Sequence, residues 1–284
     1  MRNGTPELDK LFEEVGTYRS TKDYRELLFF VRKFRHYAPY NAMLLHIQKP
    51  GSTYVASAAD WQSRFQRKPI PGARPLVILR PFGPVAFVYE LGDTEGKAFP
   101  KELAEPFSAS GMVSRAMVDS FIQNMLYSGV NYHEQDYGSD SAGFVQWVGS
   151  RAVYTSPGGK KKHYSVPFSM VVNENLDNAA KLATIYHELG HVFCGHLSAP
   201  SVKFLPQRPG LPLKTVEFEA ESVCWLLCER QGIHNPSAAY LSGYLDENEE
   251  IPPISIETVL KAVGAIEQIR AGLKAPRKEL VIGE

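Results

Sequence analysis

The segment His187-Glu188-Leu189-Gly190-His191 has the residue types and the spacing of a metal-dependent hydrolase. On a helix, side chains four positions apart lie on the same face, so the imidazoles of His187 and His191 can bind one metal ion. Glu188 stands beside the first imidazole and can take a proton from a water molecule that the metal activates. The segment therefore predicts a Zn²⁺ site in which Glu188 acts as general base for hydrolysis of a peptide bond.

A third protein ligand is needed, because a catalytic zinc ion takes three protein ligands and leaves the fourth position to water. Cys194 follows His191 by three residues and offers a thiolate, although a buried apolar role is the more common one for such a cysteine. Glu217 and Glu221 stand one helical turn apart, so one carboxylate can bind the metal while the other holds the second nitrogen of a ligand histidine. The sequence favours His187, His191 and Glu217 as ligands, with Glu221 as the supporting carboxylate.

Two neighbouring residues are predicted to lie outside the ligand set. His196 stands one residue before the position that the metzincin pattern reserves for its third histidine, where this chain has Leu197. Glu219 falls between Glu217 and Glu221 and therefore points to a different side of their helix. We expect neither side chain to reach the metal.

The metal-binding residues are expected on two helices joined by a loop. The first helix is predicted over 176–194, because apolar residues recur there every three or four positions, at Leu182, Ile185, Leu189 and Val192. Prolines between 200 and 212 exclude regular helix from that segment, and the second helix is predicted over 216–231. Ala220 is small, which allows the second helix to pack closely against the first.

The rest of the second half is predicted to mix strands and helices. Helices are expected over 113–127, 236–245 and 255–273, and strands over 130–135, 143–148, 151–155 and 164–173. Residues 168–172 lead towards the metal-binding helix, so they form a candidate edge on which an extended peptide can lie.

The first half predicts a separate small module. Its expected elements are helices over 7–15, 21–37, 40–48 and 58–66 and strands over 76–79 and 85–91. Two prolines and two serines make 99–111 the best candidate for a linker. The sequence therefore predicts an α+β protein with a basic α+β domain over 1–100 and a metal-binding domain over 111–284.

Charge differs between the two halves although the net charge of the chain is zero. Residues 19–80 carry 12 Lys/Arg and three Asp/Glu, whereas residues 101–284 carry 16 and 21. Within 19–68 cations alternate with aromatic rings, which suits a nucleic acid because cations bind phosphates and ring faces stack on bases. The candidate contacts are Arg32, Lys33, Arg35, Tyr40, Trp61, Arg64, Arg67 and Lys68.

The sequence of this module favours a single-stranded over a double-stranded nucleic acid. No recognition-helix motif is present, so a single strand is a more suitable partner than a duplex. The alternative interpretation is that the rings belong to the core of the module and the cations form a solvated face.

Composition favours a globular protein outside the membrane, with 44% hydrophobic and 22% charged residues. No apolar run approaches the roughly 18 residues of a membrane span, and the N-terminal residues lack the apolar core of a secretory signal. The cysteines, Cys194, Cys224 and Cys228, are odd in number and cluster around the predicted site. This pattern suits reduced thiols better than a disulfide framework, so we expect a cytoplasmic protein.

Over most of its length the chain resembles the ArdC-type antirestriction proteins and their ImmA/IrrE-like metallopeptidase relatives. The second half does so through its HELGH and EFEAE segments at 187–191 and 217–221 and through AAYLSGYL at 238–245. The first half resembles the N-terminal domain of that family through YNAMLL at 40–45, ADW at 59–61, PLVILRP at 75–81 and FVYELGDT at 87–94. The resemblance implies a zincin-like metallopeptidase domain, single-stranded DNA binding by the first domain, and a role on a mobile element in countering host restriction.

These observations leave three functions open. The leading one is a zinc-dependent metallopeptidase that acts on a peptide or protein and carries a module for single-stranded DNA. The second is a non-proteolytic antirestriction protein that occupies DNA and uses zinc only structurally. The third is a regulator that cleaves a repressor after its basic module has recruited it to DNA. None of the patterns specifies an oligomeric state.

Overall fold

The computed structural model describes residues 21–34, 37–80, 83–100, 113–137, 142–197, 199, 202–233 and 251–282. Helices and strands are mixed along the chain, so the predicted α+β class is confirmed. The described residues up to 100 belong to one compact unit, and those from 113 onward belong to another. The helices predicted over 7–15 and 236–245 lie outside the described residues.

The first unit combines short helices with short strands. Its helices are α1 (Thr21–Lys33), α2 (Pro39–Gln48) and α3 (Ala58–Phe65). Its strands are β1 (Val55–Ala56), β2 (Arg67–Pro69), β3 (Leu76–Arg80), β4 (Gly83–Glu90) and β5 (Thr94–Gly96). Antiparallel pairing gives a three-stranded sheet in the order β1–β4–β3 and a separate β2–β5 ribbon.

Local sequence explains why α1 and α3 are helical. The buried residues of α1 recur at helical spacing, at Tyr24, Leu27, Leu28 and Val31. Helix α3 begins after Ser57, whose hydroxyl accepts a hydrogen bond from the backbone N–H of Asp60 and so caps the helix. Because both signals are local, these helices lie close to where the sequence predicted them.

Helix α2 closes the outer edge of β3 with two side-chain amides. Asn41 donates to the Leu79 carbonyl at 3.0 Å and accepts from the Leu79 N–H at 2.9 Å. Gln48 does the same with the carbonyl and N–H of Val77, both at 2.8 Å. The amides thus satisfy backbone groups that a neighbouring strand would otherwise pair, which protects the edge of the sheet.

The second unit contains the longer elements. Its helices are α4 (Arg115–Tyr127), α5 (Asn178–Phe193), α6 (Leu213–Gln231) and α7 (Ile256–Ala271). Its strands are β6 (Val130–Gln135), β7 (Gly143–Thr155) and β8 (Lys161–Asn173). The sheet has the order β6–β8–β7, with β6 parallel and β7 antiparallel to β8.

Strand β7 is continuous, whereas the sequence predicted two segments over 143–148 and 151–155. Its pairing with β8 shifts between Trp147 and Ser150. Gly149 lies at this shift with a φ of +67°, a conformation that glycine adopts without steric cost. An irregularity of this kind disturbs the ladder locally without ending the strand, so the break in the sequence pattern marks a bulge and not a turn.

Strand β8 lies in the middle of its sheet, so the prediction that 168–172 offers a free edge is wrong. Phe168 to Val172 pair with β6 on one side and with β7 on the other. A strand that is paired on both sides has no backbone groups left for a peptide. Among the described strands, β6 and β7 form the edges of this sheet.

Helices α5 and α6 pack against each other at very short range. Helix α5 begins at Asp177, whose carboxylate accepts a hydrogen bond from the N–H of Ala180. A Cβ atom at Gly190 would lie only 2.9 Å from the Cα of Ala220. The pair of small residues therefore lets the two backbones meet, as the size of Ala220 led us to expect.

Helix α7 completes the core of the second unit by packing against both α5 and α6. It contributes an apolar stripe that is buried, formed by Val259, Leu260, Val263, Ile266 and Ile269. Within the described ranges, no helix is long and apolar enough to cross a bilayer.

Candidate metal centre

The side chains of His187, His191 and Glu217 converge on one point between α5 and α6. The Nε2 atoms of the two histidines lie 3.1 Å apart. The Glu217 carboxylate lies 3.4 Å from Nε2 of His187 and 3.8 Å from Nε2 of His191. The side chains of His187 and Glu217 are 24% and 36% exposed, so solvent reaches the point where the three groups meet.

The spacing of these atoms fits a zinc ion. Ligand atoms about 2.0–2.2 Å from a tetrahedral zinc lie about 3.3–3.6 Å from each other, close to the three distances above. Two imidazoles and one carboxylate are also a donor set of catalytic zinc sites. In the part of the chain that the structure describes, no fourth His, Cys, Asp or Glu joins this group. The described residues thus offer three potential ligands, the number typical of a catalytic zinc.

Glu221 lies where the sequence placed a supporting carboxylate. Its Oε2 atom is 2.9 Å from Nδ1 of His187, and its side chain is only 8% exposed. Because an ionised carboxylate only accepts hydrogen bonds, Nδ1 of His187 carries the proton in this contact. Once Nε2 of His187 gives up its own proton, its lone pair is directed towards Glu217 and His191, where a metal ion would bind.

Glu188 is half-buried and lies next to strand β7. The backbone N–H of Val145 donates a hydrogen bond to its carboxylate. Burial raises the pKa of Glu188, the neighbouring His187 lowers it and the charge of Glu217 raises it, with a net increase above its ordinary value. A raised pKa brings a carboxyl group closer to the neutral range in which it can both accept and release a proton.

Positive charge is concentrated on one of the two candidate ligand histidines. Burial lowers the pKa of His187, but its hydrogen bonds to Glu217 and Glu221 outweigh burial and raise the pKa to about 10. Burial and the nearby His187 together lower the pKa of His191 to about 4. The hydrogen bond from His187 lowers the pKa of Glu217. The carboxylates therefore stabilise a cation at this point, which is what a metal site requires.

Two residues that the sequence excluded as ligands lie directly behind His191. Nδ1 of His196 is 3.0 Å from Nδ1 of His191, and Nε2 of His196 is 2.9 Å from Oε2 of Glu219. Neither residue belongs to the His187, His191 and Glu217 group. The sequence patterns assign neither residue a role, whereas the structure connects both to His191, a predicted metal ligand.

The charge of Glu219 is fully buried and is matched by Arg208. The guanidinium donates to Oε2 at 2.5 Å and to Oε1 at 2.8 Å, and the backbone N–H of Ser255 donates to Oε1 at 2.7 Å. Burial raises the pKa of Glu219, but the hydrogen bonds from His196 and Arg208 outweigh it and lower the pKa. Glu219 is therefore an ionised carboxylate that connects α6 to the preceding loop and to the residue that caps α7.

Cys194, His196 and Glu219 form a second group of potential ligand atoms. Hydrogen bonds already use both ring nitrogens of His196, and Arg208 already donates to both carboxylate oxygens of Glu219. Burial raises the pKa of the Cys194 thiol well above its ordinary value, which disfavours the thiolate that binds metals. We therefore assign Cys194 the buried apolar role and assign no metal to this second group.

The first unit changes the set of predicted nucleic-acid contacts. Trp61 is fully buried, and its Nε1–H donates to the Tyr89 carbonyl at 2.8 Å, so its ring offers no face to a base. Arg67 donates to the hydroxyl and carbonyl of Thr94 and to the carbonyl of Lys97. These bonds connect β2 to β5 and leave the guanidinium little capacity for a phosphate. We withdraw Trp61 and Arg67 from the set.

The structure describes the side chains of only some of the other predicted nucleic-acid contacts. Arg64 and Lys68 are exposed, and Tyr40 is half-buried. Arg32 and Lys33 lie in α1, but their side chains, like the whole of Arg35, lie outside the described residues. Nucleic-acid binding therefore stays a prediction, with Arg64 and Lys68 as its accessible cations.

No protein-family model, curated protein or solved structure matches this chain. The resemblance to ArdC-type and ImmA/IrrE-like proteins therefore stays a prediction from sequence motifs. One of those motifs, at 238–245, lies outside the described residues. The functional argument accordingly depends on the geometry of the metal centre.

Proposed function

We propose that this protein is a zinc-dependent peptidase whose metal is bound by His187, His191 and Glu217. The observation that carries the proposal is the convergence of these three groups, with Nε2 of each histidine towards the common point. Nδ1 of His187 contacts Glu221, and Nδ1 of His191 contacts His196. Hydrogen bonds to the second ring nitrogen orient ligand histidines in this way in zinc sites. A helix that merely packs in a core has no need of ligands oriented in this way.

The reaction would divide between the metal and one carboxylate. When bound, zinc acts as a Lewis acid that polarises a carbonyl group and lowers the pKa of water towards about 7. Glu188 accepts the proton of the attacking water and then donates it to the departing amine. The hydrogen bond from Val145 orients this carboxylate, and burial raises its pKa, which favours proton transfer near neutral pH.

Strand β7 supports an extended peptide as the substrate. The N–H of Val145 donates to Glu188, so the catalytic carboxyl group lies against β7, an edge of its sheet. A peptide that pairs with this edge brings its backbone close to Glu188. Phe144 and Trp147 on the same strand are 38% and 53% exposed and can contact apolar side chains of the substrate.

The test combines two substitutions with zinc analysis. Glu188→Gln should retain zinc and lose hydrolysis of a fluorogenic peptide library by about 10²–10⁴-fold, because the amide cannot accept the proton. Glu217→Ala should lose zinc in elemental analysis, because two histidines alone make a weak site. Glu174→Gln changes an exposed carboxylate and serves as the matched control, with zinc content and turnover unchanged.

Each substitution can also contradict its assignment. Turnover retained by Glu188→Gln would remove Glu188 from the mechanism, and full zinc occupancy in Glu217→Ala would require a different third ligand. Phenanthroline should abolish hydrolysis by the unmodified protein, and added zinc should restore it. A reaction that is insensitive to the chelator would contradict metal dependence altogether.

A structural zinc in a non-proteolytic DNA-binding protein is the alternative. Structural zinc sites usually have four protein ligands, mostly cysteine and histidine. The described group offers three, and one of them is a carboxylate that is 36% exposed, which favours hydrolysis. Zinc-loaded protein that protects DNA from restriction but cleaves no peptide would support the alternative.

The antirestriction or regulatory role and the single-stranded DNA partner are proposed from the sequence motifs and the basic first half. Exposed Arg64 and Lys68 provide the test of binding. Changing both to glutamate should weaken binding of a labelled single-stranded oligonucleotide and reduce its dependence on salt, because fewer phosphates are neutralised. Unchanged binding would mean that these cations do not contact DNA. Cleavage of a co-expressed repressor would distinguish the regulatory form of the proposal.

A further inference from the structure

Behind His191, two hydrogen bonds lead from the metal centre to a buried charge. They join Nδ1 of His191 to Nδ1 of His196 at 3.0 Å, and Nε2 of His196 to Glu219 at 2.9 Å. The His196 side chain is 2% exposed and that of Glu219 is 0% exposed, so water does not compete for these contacts. An imidazole that is buried between a metal ligand and a carboxylate is well placed to act on that ligand.

The partners of Glu219 determine where the protons lie. Its carboxylate also accepts hydrogen bonds from Arg208 and from the N–H of Ser255, so it has no proton to offer and Nε2 of His196 must donate. In the neutral form of His196, which carries a single N–H, Nδ1 of His196 accepts and Nδ1 of His191 donates. Nε2 of His191 is then unprotonated and faces His187 and Glu217 as a ligand atom.

The two ligand histidines are thus oriented by different means. His187 contacts the carboxylate of Glu221 directly, at 2.9 Å. Among the described residues, no carboxylate contacts Nδ1 of His191, which reaches Glu219 only through the ring of His196. Loss of His196 therefore removes the contact that fixes the ring orientation of His191, whereas His187 keeps its partner.

We propose that His196 is a positioning residue for His191 and connects this ligand to the charge of Glu219. The inference depends on the proposed function, since it assumes that zinc binds at His187, His191 and Glu217. His196 holds the imidazole of His191 with Nε2 towards the metal and transmits the negative charge of Glu219. Both effects strengthen a ligand, and outer-shell contacts of this kind typically change metal affinity by about 10–100-fold.

The experiment compares two substitutions at position 196 in the full chain. His196→Phe keeps a ring but removes both nitrogens, so zinc affinity should fall by about 10–100-fold in competition with a fluorescent chelator. His196→Gln keeps an acceptor oxygen and a donor amide and should recover much of that loss. His133→Phe, at an exposed histidine of β6, is the matched control and should bind zinc like the unmodified protein.

Cobalt provides a readout that simple packing would not change. The visible absorption of the Co²⁺-loaded protein depends on ligand geometry, so His196→Phe should alter the spectrum and His196→Gln should preserve it. Equal zinc affinity in the Phe variant and the unmodified protein would overturn the inference. Equal losses in the Phe and Gln variants, with unchanged cobalt spectra, would also overturn it, because the effect would then be one of packing.

The design separates this inference from the proposed function. If the unmodified protein binds no zinc, the proposed function fails, and the inference fails with it. If the unmodified protein binds zinc and position 196 has no influence, only the inference fails. If His196→Phe does not fold, the Gln variant is compared with Glu219→Gln, which keeps an acceptor for His196 but removes its charge. Weaker zinc binding in Glu219→Gln than in His196→Gln supports transmission of charge, and equal or tighter binding contradicts it.

Discussion

The contact between Gly190 and Ala220 offers a test of how closely helices α5 and α6 must approach to form the metal site. A methyl group added by Gly190→Ala would lie 2.9 Å from the Cα, 3.1 Å from the carbonyl oxygen and 3.3 Å from the Cβ of Ala220. Carbon atoms pack best at about 3.5–4.0 Å. Backbone atoms cannot rotate away, so the helices must separate by about 0.5–1 Å to accommodate the methyl group.

This separation acts directly on the proposed metal ligands, because His187 and His191 lie on α5 and Glu217 lies on α6. Metal sites tolerate deviations of only about 0.2 Å in their bond lengths. A displacement of 0.5–1 Å, as estimated from the contact distances, exceeds that tolerance several-fold. We therefore expect zinc affinity to fall by at least about 10-fold, as happens when a supporting contact is lost.

Stability should change much less than affinity. Overpacking costs about 1–3 kcal/mol, whereas replacing glycine by alanine inside a helix gains about 1 kcal/mol. The net loss of about 1 kcal/mol corresponds to a fall in Tm of about 2–4 °C for a domain of this size. Metal-free protein should be used for the thermal scan, so that weaker zinc binding does not contribute to the shift.

Two further variants make the test specific. Gly158→Ala adds the same methyl group where nothing lies within 4 Å, so zinc affinity and Tm should both stay unchanged. Adding Ala220→Gly to Gly190→Ala removes the 3.3 Å contact but leaves the two backbone contacts, so recovery should be partial. Unchanged zinc affinity with a raised Tm in Gly190→Ala would refute the reasoning, because it would mean that the helices need not meet this closely.

Two predictions concern the stability of each unit by itself. Glu134→Leu should destabilise the second unit by about 3 kcal/mol in urea unfolding, because it leaves the buried Lys181 without its carboxylate at 2.7 Å. Burial raises the pKa of Glu134, but hydrogen bonds from Lys181 and Tyr132 outweigh it and lower the pKa below 4.5. The contribution of this ionised carboxylate to the free energy of unfolding is therefore complete above pH 4.5, and it is lost as the pH falls through the folded-state pKa. A destabilisation by Glu134→Leu that does not depend on pH would contradict this assignment. In the first unit, Gln48→Leu should cost about 1–3 kcal/mol by leaving the N–H and carbonyl of Val77 unpaired, and an unchanged urea midpoint would show that water replaces the amide.

Sequence patterns predicted the elements around the site well where the signals are local. Helix α5 was expected over 176–194 and spans Asn178–Phe193, because its apolar spacing and the Asp177 cap both act within a few residues. The order of strands in the sheet is not a local property. Alternation along 164–173 predicts a strand, but only the neighbouring strands decide whether it lies at an edge or, as in β8, at the centre.

The nucleic-acid prediction was wrong at Trp61 for a related reason. Cations interleaved with rings look alike in sequence whether the rings bind bases or fill a core. Trp61 lies in α3 beside the N-cap Ser57, and its indole packs against Tyr54, Phe65 and Phe99. Composition therefore indicates that a basic, aromatic module exists, while burial decides which of its rings can bind a ligand.

The segment around Glu219 indicates that this carboxylate needs a partner, but it does not indicate which residue that partner is. Every residue from 218 to 228 is buried, and a carboxylate within such a segment would cost several kcal/mol unless it were paired. The surrounding apolar pattern thus demands a cationic partner, but it cannot identify one. The partners are Arg208, His196 and Ser255, at 11, 23 and 36 residues along the chain. Ligands that share a helical turn can be predicted from spacing, whereas these partners depend on loops whose paths are determined by tertiary packing.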